Sequence, residues 1–463
     1  MNKVTVFFSF YSRTILVFWG LLFLSLLIFN SMQFHLFIHS FSTISERFFI
    51  PVIFSGLFFY LFKRSLETRL IIANCLLAIM ISLYAGEFYL GYLHASRQQA
   101  LTKSNFDTRD KLTVIKDMRA NHIDAYPIMR GSNLMVSDSK EKFYSILSSN
   151  GKPLLPMASI PYATVVSCNE SGEWQIYQAD RHGFNNDDKQ WDSPPAIGMV
   201  GDSFTHGSCV QRDQNMAKFL NDQFGGVINL GVGGFGPMFE LAALSEYLRP
   251  LEPPTVLWVF FEGNDLTEDL PDEFETPMLQ RYLHDENYSQ NLIHRSDEVK
   301  IALTDYINRY FTEALHRVDG PYEAIIAFLS LDRLRQAIGV GPVQIGYNFG
   351  KLDSELTLFR QVLRTANQRV KSWQGRLYLV YLPESARYLS KFGISPIRQR
   401  IYKGVKAIAL DERIPFIDVA AAFAHNPSPE TLYAYPGAHF SPKGYHLAAS
   451  TIARTLEQTN SNK

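Results

Sequence analysis

Uncharged apolar runs and polar stretches divide this chain unevenly. From Thr14 to Asn30 the run TILVFWGLLFLSLLIFN carries no charge. At 1.5 Å per residue, a helix of that length extended to Met32 is just long enough to cross the hydrocarbon core of a bilayer. A second uncharged run, Phe48 to Phe62, is shorter and predicts a short span or a re-entrant segment. The third, Leu70 to Leu93, holds a single acid, Glu87, close enough to its end to reach an interface. The pattern predicts a membrane anchor over residues 1–98, with spans at 14–32, 48–62 and 70–93. Lys3 and Arg13 precede the first run, and Lys63, Arg64 and Arg69 lie between the second and third. The positive-inside rule puts both sets in the cytoplasm, so three crossings send the chain after about residue 95 outside, into the periplasm if the membrane is a bacterial inner one. A cleavable signal peptide fits less well, because no small-x-small site follows the first run and two more apolar runs come after it.

Residues 99–194 read as a connector and a β-hairpin. Asp107 to Gly131 has the pattern of a short amphipathic helix entering an extended segment at Tyr126-Pro127. ATVVSC and EWQIYQAD then alternate around the turn Asn169-Glu170-Ser171-Gly172, which predicts a hairpin from Ala163 to Asp180. From residue 195 the texture changes to short apolar strands separated by helices: AIGMVGD, GVINLG, TVLWVFFEG, RLYLVYLP and IPFIDVA, with helices at Pro237–Tyr247 and Ser354–Trp373. That rhythm predicts an α/β domain with a mainly parallel sheet over 195–463. The interval Leu266 to Gly350 exceeds a simple connection and is an insertion, either a lid over the strand ends or a peripheral helical elaboration.

Composition narrows the partners. With 44 Lys+Arg against 45 Asp+Glu in 463 residues, the chain lacks the charge excess of a nucleic-acid binder, and no nucleic acid is expected. Three cysteines, none in a CxxC, predict neither a metal site nor a cofactor-bearing cluster. Cys75 falls in a span; Cys168 and Cys209 share the compartment where oxidation persists and are expected to form a disulfide joining the hairpin to the loop after Ser203. His182 to Asn186 reads as a turn rather than a sugar contact, and the acids Asp269, Asp272, Glu273 and Glu275 as a solvated loop rather than a metal site.

The strongest chemical signal is Gly201-Asp202-Ser203-Phe204-Thr205, where an apolar strand must turn into a helix and expose a hydroxyl at the carboxyl edge of a parallel sheet. Asp202 there is expected to cap the turn. Asn229-Leu230-Gly231-Val232-Gly233-Gly234, Glu262-Gly263-Asn264-Asp265 and Pro436-Gly437-Ala438-His439 follow, each at a strand end or before a helix, the last of these beginning at Pro442. In order and type these four segments resemble blocks I, II, III and V of the SGNH, or GDSL, hydrolase family. The resemblance implies a three-layer α/β domain in which Ser203 is the nucleophile and His439 the general base. It also implies an oxyanion hole from Ser203 N–H, Gly234 N–H (or Gly233, with a slip of one residue) and the Asn264 amide.

The sequence departs from the family at Pro436, where the family's acid stands, and at Glu262, which replaces a glycine. Something else must orient His439: Asp418, Glu262 or a backbone carbonyl between Ala434 and Gly437. The reading is a membrane-anchored serine esterase acting on an O-acetylated or otherwise acylated extracytoplasmic glycan, with lipid esters second. The alternatives are an O-acyltransferase that modifies a cell-surface polysaccharide with a membrane partner protein, and a non-catalytic glycan-binding or assembly module suggested by Pro436 and Glu262.

Overall fold

The computed structural model describes residues 3–32, 50–102, 106–137, 142–316, 328, 331, 333–334, 349–389 and 394–461. It comprises two compact units, one of residues 1–100 with 317–348 and the other of 101–316 with 349–463.

The first unit is built on three helices, Lys3–Met32, Ile50–Leu61 and Leu66–Thr102. Two of them contain stretches long and apolar enough to cross a membrane, Lys3–Leu21 and Leu66–Leu93. This is fewer than the three spans the sequence predicts, because the middle helix has 12 residues and reaches only about 18 Å. Arg13 lies over the Phe62 ring, Trp19 stacks on Phe58, and Ser55 Oγ donates to the Gly20 carbonyl. The middle helix therefore runs antiparallel to the first. Tyr11 donates to Asn74 at 2.9 Å and Arg69 to Ser9 at 3.4 Å, so the third helix is parallel to the first. Apolar side chains such as Phe10, Ile53 and Phe88 remain exposed. Glu87 does not reach outward: it is buried and accepts the backbone N–H groups of Arg333 and Leu334.

In the second unit, strand β1 (Ala125–Pro127) pairs parallel to β2 (Thr164–Val166), which forms the predicted hairpin with β3 (Ile176–Gln178). The helix Lys111–Ala120 covers this small sheet through Val114 and Ile115. The five strands predicted for the α/β domain are β4 (Ile197–Gly201), β5 (Val227–Asn229), β6 (Thr255–Phe261), β7 (Arg376–Leu382) and β8 (Phe416–Asp418). All are parallel, in the order β8-β7-β6-β4-β5. Side chains alternate across the sheet. Met199, Leu257, Val259 and Val380 pack against the helices Met216–Phe224 and Pro442–Ser461. On the opposite face Phe260 meets Phe359 of the helix Phe349–Ser372. The chain reverses its order of addition between β4 and β6, and such a switch point leaves a crevice beyond the carboxyl ends of the strands. Ser203 follows the end of β4 and Asn264 that of β6, so two of the motifs flank that crevice.

Leu279, Tyr282, Leu292, Val299 and Leu303 of the insertion are all buried in the unit. Most of its remainder, 317–348, lies outside the described residues.

Candidate active site

Asp202 caps the one-turn helix Ser203–His206, its carboxylate accepting Phe204 N–H at 2.8 Å as the sequence predicts. The turn is tight: a Cβ on Gly201 would lie 2.0 Å from Thr205 Oγ1, so only glycine fits. Beneath it Phe204 stacks on Phe261, tilts against His439 and meets Phe440 edge-on, which fixes the imidazole from below. His439 sits in a loop closed by the Tyr433–Phe440 bridge and by Ala434 N–H donating to the His439 carbonyl.

Ser203 Oγ lies 2.9 Å from His439 Nε2. The other ring nitrogen does not meet any of the acceptors the sequence suggested. His439 Nδ1 lies 2.9 Å from Glu170 Oε1, and the His439 backbone N–H donates to Glu170 Oε2, also at 2.9 Å. Glu170 thus holds the ring and the backbone of the same residue. Asp418 is engaged elsewhere, capping the helix Val419–Ala424 and accepting from Tyr402 and Lys406. Glu262 is buried against Arg387, Tyr381 and Glu384 N–H. The carbonyl alternative falls with them. Glu170 belongs to the hairpin turn, where Asn-Glu-Ser-Gly reads as turn chemistry. The one signal that could have found it was the cysteine beside it. The structure joins Cys168 to Cys209, which carries the hairpin tip to the loop behind Ser203. Gln175 adds to this docking by donating to the Gly207 carbonyl and accepting Cys209 N–H. Cys209 Sγ lies 3.5 Å from His439 Nδ1, but a disulfide sulfur is no thiolate ligand, so Glu170, Cys209 and His439 do not make a metal site.

On the oxyanion side, Gly233 lies against Ser203, and Gly234 adopts φ +76°, a left-handed turn that favours glycine. Neither N–H is hydrogen-bonded among the described residues. Asn264 gives one amide hydrogen to Asp269 at 2.6 Å, which fixes its nitrogen end and leaves the second hydrogen available. The solvated-loop reading of the acids holds for the exposed Asp272 and Glu275 and is corrected for Asp269 and Glu273. Asp269 is drawn in to hold Asn264, and Glu273 is buried, accepting Met238 N–H at 2.9 Å at the start of the helix Pro237–Ala243. His182, Asn185 and Asn186 are also buried, with Asn186 bonded to both backbone groups of Asn229; they brace the second motif and are closed to a sugar. Burial, then the charges of Asp202 and Glu268, push Asp269 up to about 7. Asn264→Ala is expected to lower kcat by about 10²- to 10³-fold with little change in KM. Asp269→Ala should give a smaller loss, because it frees the amide without removing it. Steady-state kinetics on p-nitrophenyl acetate check both.

Behind the site Glu240 is wholly buried and neither carboxylate oxygen has a partner among the described residues. Burial first, then Asp202, Glu273 and Asp269, hold its carboxyl well above the usual range. Because the folded state keeps this proton longer than the unfolded chain, stability is fullest at acid pH and falls as pH rises from the ordinary carboxylate value toward the raised one. Glu240→Gln should therefore lose less melting temperature between pH 6 and pH 9 than the wild type. Parallel melts at the two pH values read the difference, and equal losses would put the proton elsewhere.

A comparison with curated proteins found no match. Solved structures that resemble the chain include a lipase/acylhydrolase from Enterococcus faecalis, 16% identical with TM-score 0.33, covering 57% of this chain and 96% of that one. A member of the lipolytic G-D-S-L family from Veillonella parvula is 11% identical with TM-score 0.30, covering 56% and 96%. An acetyl xylan esterase is 8% identical with TM-score 0.30, covering 56% and 98%. Residues 199–447, more than half the chain, match the GDSL-like lipase/acylhydrolase family. With that match and the parallel sheet that carries its motifs, the chain belongs to the GDSL-like lipase/acylhydrolase family, the serine hydrolases of ester bonds.

Proposed function

We propose that this chain is a membrane-attached, extracytoplasmic esterase that removes acyl groups, acetyl foremost, from a glycan. The observation that carries the catalytic part is the chain of hydrogen bonds from Ser203 through His439 to Glu170. Ser203 Oγ attacks the acyl carbonyl carbon while His439 Nε2 takes its proton, and Glu170 stabilises the imidazolium. The N–H groups of Ser203 and Gly234 and the Asn264 amide receive the negative oxygen. Collapse breaks the ester C–O bond, and Nε2 returns the proton to the leaving alcohol. Water then repeats the sequence on the acyl-serine, releasing the carboxylic acid.

Location rests on two features. The up-down-up order of the three N-terminal helices gathers Arg13, Lys63, Arg64 and Arg69 at one end, which the positive-inside rule assigns to the cytoplasm. A disulfide beside the site also suits an oxidising compartment. Pro436, which suggested a non-catalytic module, no longer argues for one, because Glu170 supplies the acceptor its position lacks. A serine-directed fluorophosphonate is expected to label the wild type and not Ser203→Ala, and the wild type to release acetate from acetylated oligosaccharides. Absent labelling, or labelling that persists in Ser203→Ala, would sink the reading.

A further inference from the structure

Arg130 follows β1 and lies outside the stretch that matches the family; its side chain is exposed. It flanks the nucleophile. A methyl group on Gly233 would sit 3.5 Å from Arg130 Nε, 3.8 Å from Arg130 Cζ and 3.5 Å from Ser203 Cβ. The guanidinium and the serine are thus two van der Waals contacts apart. No carboxylate pairs with Arg130 among the described residues, and its side chain makes no hydrogen bond there. Lys111, in the first turn of the helix Lys111–Ala120, is partly buried, and burial, then the charge of Arg130, push it down to about 8. A guanidinium left without an acid beside the nucleophile can take an anion arriving from outside.

We infer that Arg130 forms an anion subsite beside Ser203, which takes the carboxylate of an acidic glycan whose ester the serine attacks. The inference rests on the esterase reading and adds the substrate's charge to it. The guanidinium fork matches a carboxylate with two parallel hydrogen bonds. A sugar suits the surroundings better than an acyl chain. Among the described residues, the exposed large apolar side chain of the motif loops is Tyr435, in the loop before His439, where burial and then the charge of Glu170 raise its hydroxyl. An exposed aromatic ring offers a flat face with a polar edge, where a lipid tail would need an aliphatic lining.

The test uses the full chain in detergent. Binding of an O-acetylated oligouronate and of a neutral O-acetylated oligosaccharide is measured by calorimetry on Ser203→Ala, so that turnover plays no part. The acidic sugar is expected to bind about 10- to 100-fold tighter. Adding Arg130→Gln should abolish that preference, Arg130→Glu should reverse it, and Arg130→Lys should restore part of it. Equal affinity for the two sugars, or a preference that survives Arg130→Gln, overturns the subsite. Hydrolysis of dihexanoyl phosphatidylglycerol against dihexanoyl phosphatidylcholine by chains with active Ser203 forms a second arm. If Arg130→Gln removes a preference there and none for the oligouronate, the anion is a lipid phosphate and the glycan is wrong. Fluorophosphonate labelling of the wild type reports on Ser203 alone, so failure of the esterase reading shows there and not in the binding data.

Discussion

Glu170→Gln is expected to lower kcat about 10⁴-fold, against roughly 10⁶-fold for Ser203→Ala or His439→Ala. The reason is the tautomer. Both donors that reach Glu170, His439 Nδ1–H and His439 backbone N–H, need an acceptor. A glutamine offers one oxygen and one amide nitrogen, so one of the two must face another donor. If the oxygen stays with the backbone, the amide drives the ring proton onto Nε2, where it blocks transfer from Ser203. Asp418→Asn should fall far short of that loss, because Asp418 caps a helix and touches neither serine nor histidine. Turnover of p-nitrophenyl acetate by the four variants orders them. A Glu170→Gln chain as fast as the wild type would leave His439 oriented by something else.

The second large effect concerns the bond that carries Glu170 into place. Cys168 and Cys209 are 41 residues apart, and closing such a loop stabilises the folded chain by about 4 kcal/mol on the chain-entropy estimate. Replacing both cysteines with serine should lower the melting temperature. It should also lower kcat at temperatures where the variant is still folded, since the acid lies two residues from the tether. The hairpin keeps its own ladder and its Gln175 contacts, so part of the activity should survive. Melts and initial rates with and without reductant separate the two consequences. Unchanged rates in a destabilised protein would mean that Glu170 is placed by the hairpin alone.

The five strands of the sheet were legible because each is a short apolar run, three of them leading into a motif, and the motifs themselves named Ser203, Gly234, Asn264 and His439. Strand order was not legible, since every run is buried on both faces and nothing in its residues selects a neighbour. Glu170 was hidden for another reason. A family pattern places the acid three residues before the histidine, whereas here it comes from a turn whose Asn and Gly neighbours explain themselves without chemistry. The acids at Asp269 and Glu273 read as solvated because hydrophilic spacing cannot reveal that a carboxylate turns inward to a backbone N–H or an amide. The middle apolar helix shows the limit from the other side: composition marked it as a span, and its length makes it too short to cross unaided.

The two-pronged grip of Glu170 on His439 restricts the order of events as well as their rate. A ring bound at Nδ1 and tied through its own main chain cannot swing to present its proton somewhere new, so Nε2 must both receive and return it at one spot. By microscopic reversibility the departing alcohol, the incoming water and any competing hydroxyl all pass through that same place. Whether the acyl group ends on water or on another sugar then becomes a contest of occupancy, decided by whichever hydroxyl arrives there after the first product has left.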